Sequence, residues 1–146
     1  MSQHRPIQPP GWAPPRGYSN GMIGEGRTLA IAGQIAWDAR CNIVSDELAA
    51  QFRQCLANVV DIVRAAGGEP GDVLSLTVYV VDRQRYIDAT KEIGAAWREL
   101  FGRHYPAMAL VQVAALLEPR AQVEIQGLAL LGPTPSPAQI PSSEAP

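Results

Sequence analysis

Between residues 17 and 132 the spacing of apolar residues switches repeatedly between a two-residue and a three-to-four-residue period, which restricts the chain to a sheet partnered by helices. Segments 18–23 and 28–35 flank the turn residues Gly24, Glu25 and Gly26, a hairpin signal. Leu48, Phe52, Cys55, Leu56, Val59, Ile62 and Val63 then recur every three or four positions, which predicts an amphipathic helix capped at Ser45 and stopped at Gly67-Gly68. The β-branched run 73–81 reads as a central strand. Residues 83–101, with Tyr86, Ile93, Ala96, Trp97, Leu100 and Phe101 at helical spacing, read as a second helix closed by Gly102. Two Val-rich runs, 107–116 and 122–131, follow on either side of Glu118-Pro119-Arg120, so the element order is ββαβαββ.

Two helices and one sheet bury each other in two layers only if both helices lie on the same face. The other face is then left with apolar residues that nothing in the chain covers, and a large open apolar face implies a partner, so an oligomer is expected. Ten of the 13 prolines lie outside the middle of the chain, which sets a Pro-rich N-terminal segment at 1–16, a folded domain at 17–132 and a disordered Pro/Ser-rich tail at 133–146. The 146 residues, 47% apolar and 18% charged, have the size and composition of one globular domain. A formal charge of -2 supplies no basic field for nucleic acid, and no apolar run approaches the roughly 18–20 residues of a membrane span. Neither nucleic acid nor membrane is therefore an expected partner. The stretch MSQHRPIQPPGW has no apolar secretory core and Cys41 and Cys55 suit free thiols, so a cytoplasmic protein is expected.

Glu124 stands out because VEIQGLALL places a carboxylate at the start of an almost wholly apolar strand. Strand alternation turns it to solvent beside Gln126 on one reading; on the other it is a carboxylate partly withdrawn from water and suited to moving protons. Tyr18, in RGYSNG, is either a packing residue with a wet hydroxyl or a phenol that meets a ligand. His104, in GRHYP, is a helix-end residue whose bland role is to meet helix carbonyls, and His4 falls in the N-terminal segment and is set aside. The two cysteines form no metal-ligand spacing, and no GxGxxG, Walker loop or GxSxG elbow occurs, so no metal or cofactor is expected.

The strings RGYSNG, LAIAGQIAWD, QFRQCLANVVDIVRAAGGEPGDVLSLTVYVVD and YPAMALVQVAALLEPRAQVEIQGLAL, in this order, resemble the RidA family (reactive intermediate deaminase, also YjgF or endoribonuclease L-PSP) over nearly all of residues 18–130. The resemblance implies a chorismate-mutase-like α+β fold, with two helices on one face of a single mixed sheet. It also implies a trimeric, barrel-like assembly with small-molecule sites in the clefts between subunits. The best understood branch hydrolyses enamines and imines. There an arginine in a P-A-R string clamps the substrate carboxylate and a glutamate on the last strand handles water and protons. Tyr18 matches the family tyrosine, Gly33 the glycine whose backbone faces the ligand, and Glu124 the glutamate. Met108 stands at the arginine position, Ala32 where serine is frequent and Leu110 where cysteine is frequent.

A methionine supplies neither the charge nor the paired donors of a guanidinium, so a 2-imino acid would lose its anchor unless another arginine, Arg120 or Arg103, replaces it. The expected function is hydrolytic deamination of a small enamine, imine or related conjugated metabolite. Glu124 would move the proton, Tyr18 orient the substrate, Gly33 bind its polar end, and Met108 and Leu110 line an apolar wall. The alternative is a non-catalytic small-molecule-binding trimer. Ribonuclease activity follows from the family label alone, and the acidic balance argues against it.

Overall fold

The computed structural model describes residues 4–134, so the expected disordered tail lies outside the described residues except for Pro133 and Thr134. Strands β3 (Arg27–Gln34), β4 (Val73–Val80), β5 (Ala107–Gln112) and β6 (Val123–Leu131) form one mixed sheet in the order β3-β6-β4-β5. Only β4 and β5 run parallel, as the helical crossover between them requires. Helices α1 (Leu48–Ala65), α2 (Arg83–Asp88) and α3 (Thr90–Phe101) cover one face. This is the two-layer α+β arrangement expected, with a third helix.

The core forms where the period-two faces of β4 and β6 meet the apolar stripe of α1. Val73, Leu76, Val78 and Val80 of β4 and Val123, Ile125 and Ala129 of β6 are buried against Phe52, Cys55, Leu56, Val59, Val60 and Val63. Truncating a fully buried residue such as Leu56 to alanine removes transfer energy and leaves a cavity, a loss of about 2–5 kcal/mol. Gln51 is also fully buried, and it is satisfied: its Nε2 donates to the carbonyls of Ser45 and Arg120, and its Oε1 accepts from the Gln122 amide. It ties the start of α1 to the start of β6.

Several boundaries differ from the sequence reading. Ser45 does not cap α1, because its Oγ accepts from the Glu47 amide one step before the helix and the N-cap is Glu47. Gly67 does end it, with φ of 88°, and the Gly68 amide returns to the Val63 carbonyl. The second helix is broken at Ala89 (ψ of 7°), where the Thr90 hydroxyl donates to the Ile87 carbonyl and competes with the helix ladder. The last two strands are shorter at their facing ends, and residues 113–122 form the loop between them.

The expected hairpin across Gly24-Glu25-Gly26 does not form. β2 (Gly21–Ile23) pairs instead with β1 (Arg5–Ile7), inside the segment assigned to the N-terminal arm, while β3 pairs with β6. The His4 side chain explains the difference. It is buried, with Nε2 2.7 Å from the Leu130 carbonyl, and it occupies the space beside Gly24 that any Cβ there would need. His4, set aside on sequence, thus fastens β1 to the sheet.

The opposite face of the sheet is less apolar than expected. Its register places Leu128, Ser75 and Ala107 in one row, Gln126, Thr77 and Ala109 in the next, and Glu124, Tyr79 and Val111 in the third. Leu128 and Val111 are 40% and 43% exposed there. The alternation is one of polar and apolar groups along an open surface.

Candidate functional site

Glu124 lies on this open face, near the start of β6, and its neighbours come from a break in the β3 ladder. Pairing passes from Ile31 with Gly127 to Gln34 with Ile125, so Ala32 and Gly33 together stand opposite Gln126. Such a bulge frees backbone groups and re-aims the strand, and bulges concentrate beside active sites. Gly33 has no side chain because the Glu124 carboxyl fills that space: a Cβ would overlap Oε1 and stand 2.8 Å from the carboxyl carbon and 3.1 Å from Cγ. Glu124 is half-buried and accepts no hydrogen bond among the described residues.

A cavity of about 410 Å³ opens beside this pair, lined by Gly33, Ile35, Trp37, Cys41, Ile43, Leu117, Glu118 and Glu124. Two loops shape it. Residues 37–43 close on themselves through a Trp37–Ile43 bridge, and the Asp38 carboxylate accepts from the Arg40 and Asn42 amides at 2.8 and 3.0 Å. Those backbone hydrogen bonds hold the Asp38 carboxyl below its ordinary range. Cys41 takes φ of 61°, rare for a residue with a side chain, as the loop turns back. The outer segment of the β5–β6 loop contributes Leu117, which is fully exposed. Asn58 of α1 fixes the base, donating to the carbonyls of Ile35 and Trp37.

Of the residues singled out on sequence, the fold brings together Glu124 and Gly33. Ala32 is adjacent, exposed on the bulge, with its carbonyl accepting from the Gln34 side chain. Tyr18 lies elsewhere, at the outer edge of β5, where Ser19 bridges Ala107 and its hydroxyl donates to the Tyr105 carbonyl. Met108 and Leu110 share register rows with Leu76 and Val78 and pack on the helix-side core, so they do not wall the Glu124 cavity. Arg120 is engaged by Asp46 at 2.9 Å, and Arg103 is exposed. The His104 side chain does not meet helix carbonyls: it is half-buried, with Nε2 2.7 Å from the carbonyl of Val73, the first residue of β4, and its own carbonyl accepts from Trp97 Nε1.

The apolar wall supplied by Ile35, Trp37, Ile43 and Leu117 was not picked out on sequence. The Asp38 to Asn42 spacing, an Asx-turn signal between two apolar stretches, is the feature that marks that loop. Among the described residues no cluster of His, Cys, Asp or Glu could hold a metal ion, and no helix is long and apolar enough to cross a membrane.

Fold and cavity together define a two-layer α+β protein whose candidate ligand site lies on the open side of its sheet. Residues 11–131 match the Endoribonuclease L-PSP family model. The chain is 36% identical to a member of the conserved Rid protein family, YyfB, from Yersinia pestis, with a TM-score of 0.78 over 88% of this chain and 98% of that one. It is 35% identical over 108 residues to a 2-iminobutanoate/2-iminopropanoate deaminase of Salmonella typhimurium (72% of this chain, 80% of that protein). A human protein of the same name is 33% identical over 117 residues, 80% of this chain and 81% of its own. The chain belongs to the RidA (YjgF, endoribonuclease L-PSP) family.

Proposed function

We propose that this protein is a hydrolytic deaminase of a small enamine, imine or related conjugated metabolite, acting at the Glu124 cavity. The observation that carries the reading is the Glu124 carboxylate, held against Gly33 in an open cavity with no intramolecular donor among the described residues, so that its oxygens are available to a water molecule. In the reaction the carboxylate takes a proton from that water as its oxygen bonds to the imine carbon, and the C=N electron pair goes to nitrogen, which is protonated. The resulting carbinolamine gives its hydroxyl proton to the Glu124 carboxylate, which passes it to the amino group as the C–N bond breaks and the oxygen's electron pair forms the C=O bond, releasing ammonia and leaving a carbonyl product. An enamine enters the same path after a proton adds to its carbon. The backbone at Gly33, in the break of the β3 ladder, meets the polar end of the substrate.

The reading places the complete site between subunits of a homotrimer. The exposed Leu128 and Val111 on the open face and the fully exposed Leu117 favour a covering copy, which would bring a second Tyr18 and Met108 toward the cavity. With Met108 at the position of the family arginine and an apolar cavity wall, the preferred substrate lacks a free carboxylate. The relatives named for 2-iminobutanoate and 2-iminopropanoate thus inform the reaction class rather than the substrate.

The test is ammonia release from a panel of imines and enamines without a carboxylate, beside 2-iminobutanoate, using native protein and Glu124→Gln, with light scattering on both. Turnover that disappears in the variant while the trimer persists supports the reading. Ligand binding that survives Glu124→Gln, with no turnover of any compound, identifies the non-catalytic binding trimer favoured by the largely apolar lining. A stable monomer overturns the shared site.

A further inference from the structure

The wall of the Glu124 cavity is held more firmly than a loop of apolar residues requires. Trp37, just past the end of β3, is half-buried and its backbone is tied down on several sides. Its amide donates to the Ile35 carbonyl at 2.8 Å, its carbonyl accepts from Asn58 at 3.0 Å, and it bridges Ile43. The side chain is fixed as well. Its indole Nε1 donates to Gln34 Oε1 at 3.3 Å, and the other end of the same carboxamide, Nε2, donates to the Ala32 carbonyl at 3.1 Å. One side chain therefore joins the indole to the bulge that sets Gly33 against Glu124.

The nitrogen of an indole is its one polar atom, and it is a donor only. With that donor engaged by Gln34, the ring offers the cavity nothing but carbon. Ile35, Ile43 and Leu117 extend the same apolar surface, whereas Glu124 and the backbone at Gly33 supply polar groups where β3 and β6 meet. The other carboxylate of the lining, Glu118, is engaged by its own loop, where it accepts from the Arg120 amide at 3.2 Å. The cavity thus combines a polar corner with an apolar wall built around a flat ring whose plane is set. At about 410 Å³ it exceeds the roughly 150 Å³ that houses a benzene ring, which leaves room for a short polar head beside one.

We infer that Trp37 determines specificity at the Glu124 site by selecting an imine or enamine that carries a short aromatic substituent, and that Gln34 is the positioning residue that sets the indole plane. The inference rests on the deaminase reading for the reaction but not for the binding. The polar end of such a substrate meets Gly33 and Glu124 while its ring lies against the indole, so the substituent fixes which way the C=N group points. A preferred geometry between two rings adds to area burial only where one of them is already held, and Gln34 holds it.

Two measurements on the full chain test the assignment. Calorimetric titration with phenylacetamide and propanamide, stable planar analogues of the matching imines, reads binding. Competition between the protein and semicarbazide for those imines, formed by a flavin amine oxidase from 2-phenylethylamine and propylamine, reads turnover. In both, native protein should favour the ring-bearing compound by about tenfold or more, as burial of most of a phenyl group requires. That ratio should collapse in Trp37→Ala and fall in Leu117→Ala, a change at a fully exposed position that spares the fold. Gln34→Leu, which cannot accept from the indole, should lose most of the ratio, and Gln34→Glu, which keeps an acceptor there, should retain it. A residue that merely filled space would show no such difference. A ratio near one in native protein, or a ratio that persists in Trp37→Ala or is untouched in Leu117→Ala, would overturn the inference, and equal ratios in the two Gln34 variants would overturn the role of Gln34. Ring-selective binding through Trp37 without turnover of either imine would uphold the specificity wall and overturn the deaminase reading alone. Turnover of both imines at equal efficiency would uphold that reading and overturn this inference.

Discussion

Replacing Gly33 with alanine should remove activity while leaving stability nearly untouched, a separation that few single-methyl changes produce. The added Cβ would overlap the Glu124 carboxyl, whose carbon stands 2.8 Å and whose Cγ stands 3.1 Å from that point. The obstacle is the end of a flexible side chain, so the carboxyl can swing away, by a rotamer change or an off-rotamer strain of about 0.5–1.5 kcal/mol. Against this, alanine narrows the unfolded ensemble by about 0.4–1 kcal/mol relative to glycine, which offsets most of the strain. The net change in unfolding free energy is therefore expected within about 1 kcal/mol of zero. Activity should fall roughly as far as in Glu124→Gln, by about 10²–10⁴-fold if the carboxylate is the general base.

Gly127 provides the contrast. A Cβ there would overlap the Ser75 carbonyl oxygen and stand 2.6 Å from Leu76 Cδ2 in the middle of the sheet, where the backbone cannot swing aside. Gly127→Ala should destabilise by at least about 2 kcal/mol, the upper half of the usual range for overpacking. Urea unfolding and ammonia release on both variants, against native protein and Glu124→Gln, make the comparison. Full activity in Gly33→Ala would show that the carboxylate's position is immaterial. A loss of stability equal to that of Gly127→Ala would mean that Glu124 is packed in place as a structural group.

Three further outcomes are expected. Gly94→Ala should stabilise the protein by about 0.8–1 kcal/mol in chemical denaturation, since the mid-helix site has room for a methyl group and gains helix propensity. Cys41 should react with an aromatic disulfide reagent in the native state, whereas Cys55, buried with its Sγ 3.6 Å from the Val123 carbonyl and its thiol pushed up by burial, should react only on unfolding; equal reaction rates would contradict the packing of α1 on β6. The carboxyl of Asp38 is held below its ordinary value of 3.8, so the order it confers on residues 37–43 is present above that pH and lost as the pH falls through the lower folded value. Amide exchange at Arg40 and Asn42 should accelerate in that acid range, and exchange independent of pH after correction for the intrinsic rate would refute the Asx-turn account.

Much of the architecture was legible because it rests on periodicity and on helix punctuation. The stripe from Leu48 to Val63 and the stop at Gly67 are properties of neighbouring residues, and they read correctly. The hairpin failed because strand pairing is a tertiary choice. The turn residues Gly24, Glu25 and Gly26 were consistent with a hairpin, but the buried His4 ring and the pairing of β3 with β6 decided otherwise. For the site, Glu124 was visible as a charge in an apolar strand and Gly33 through the family pattern. The wall of Trp37, Ile43 and Leu117 was not, because it is built from two loops far apart in sequence, neither of which has a hydrophobic period. The side chosen by Met108 and Leu110 depends on register with β4, and a single-residue slip would have reversed it.

The position of β6 has a consequence for how the molecule comes into being. It is the last strand among the described residues, yet it lies between β3 and β4 and supplies the whole of β3's pairing within the sheet. During synthesis, β4, β5 and the helices can begin to associate, but β3 waits with open edges until residues 123–131 exist. Closure then brings together segments from opposite ends of the domain, a step that long-range pairing makes slow and that leaves unpaired strand edges exposed in the meantime. The Gln51 contacts to Arg120 and Gln122 are placed to receive the incoming strand at its first residues. Glu124 thus arrives with the strand that completes the sheet, and a nascent chain has no Glu124–Gly33 contact until its folding is finished.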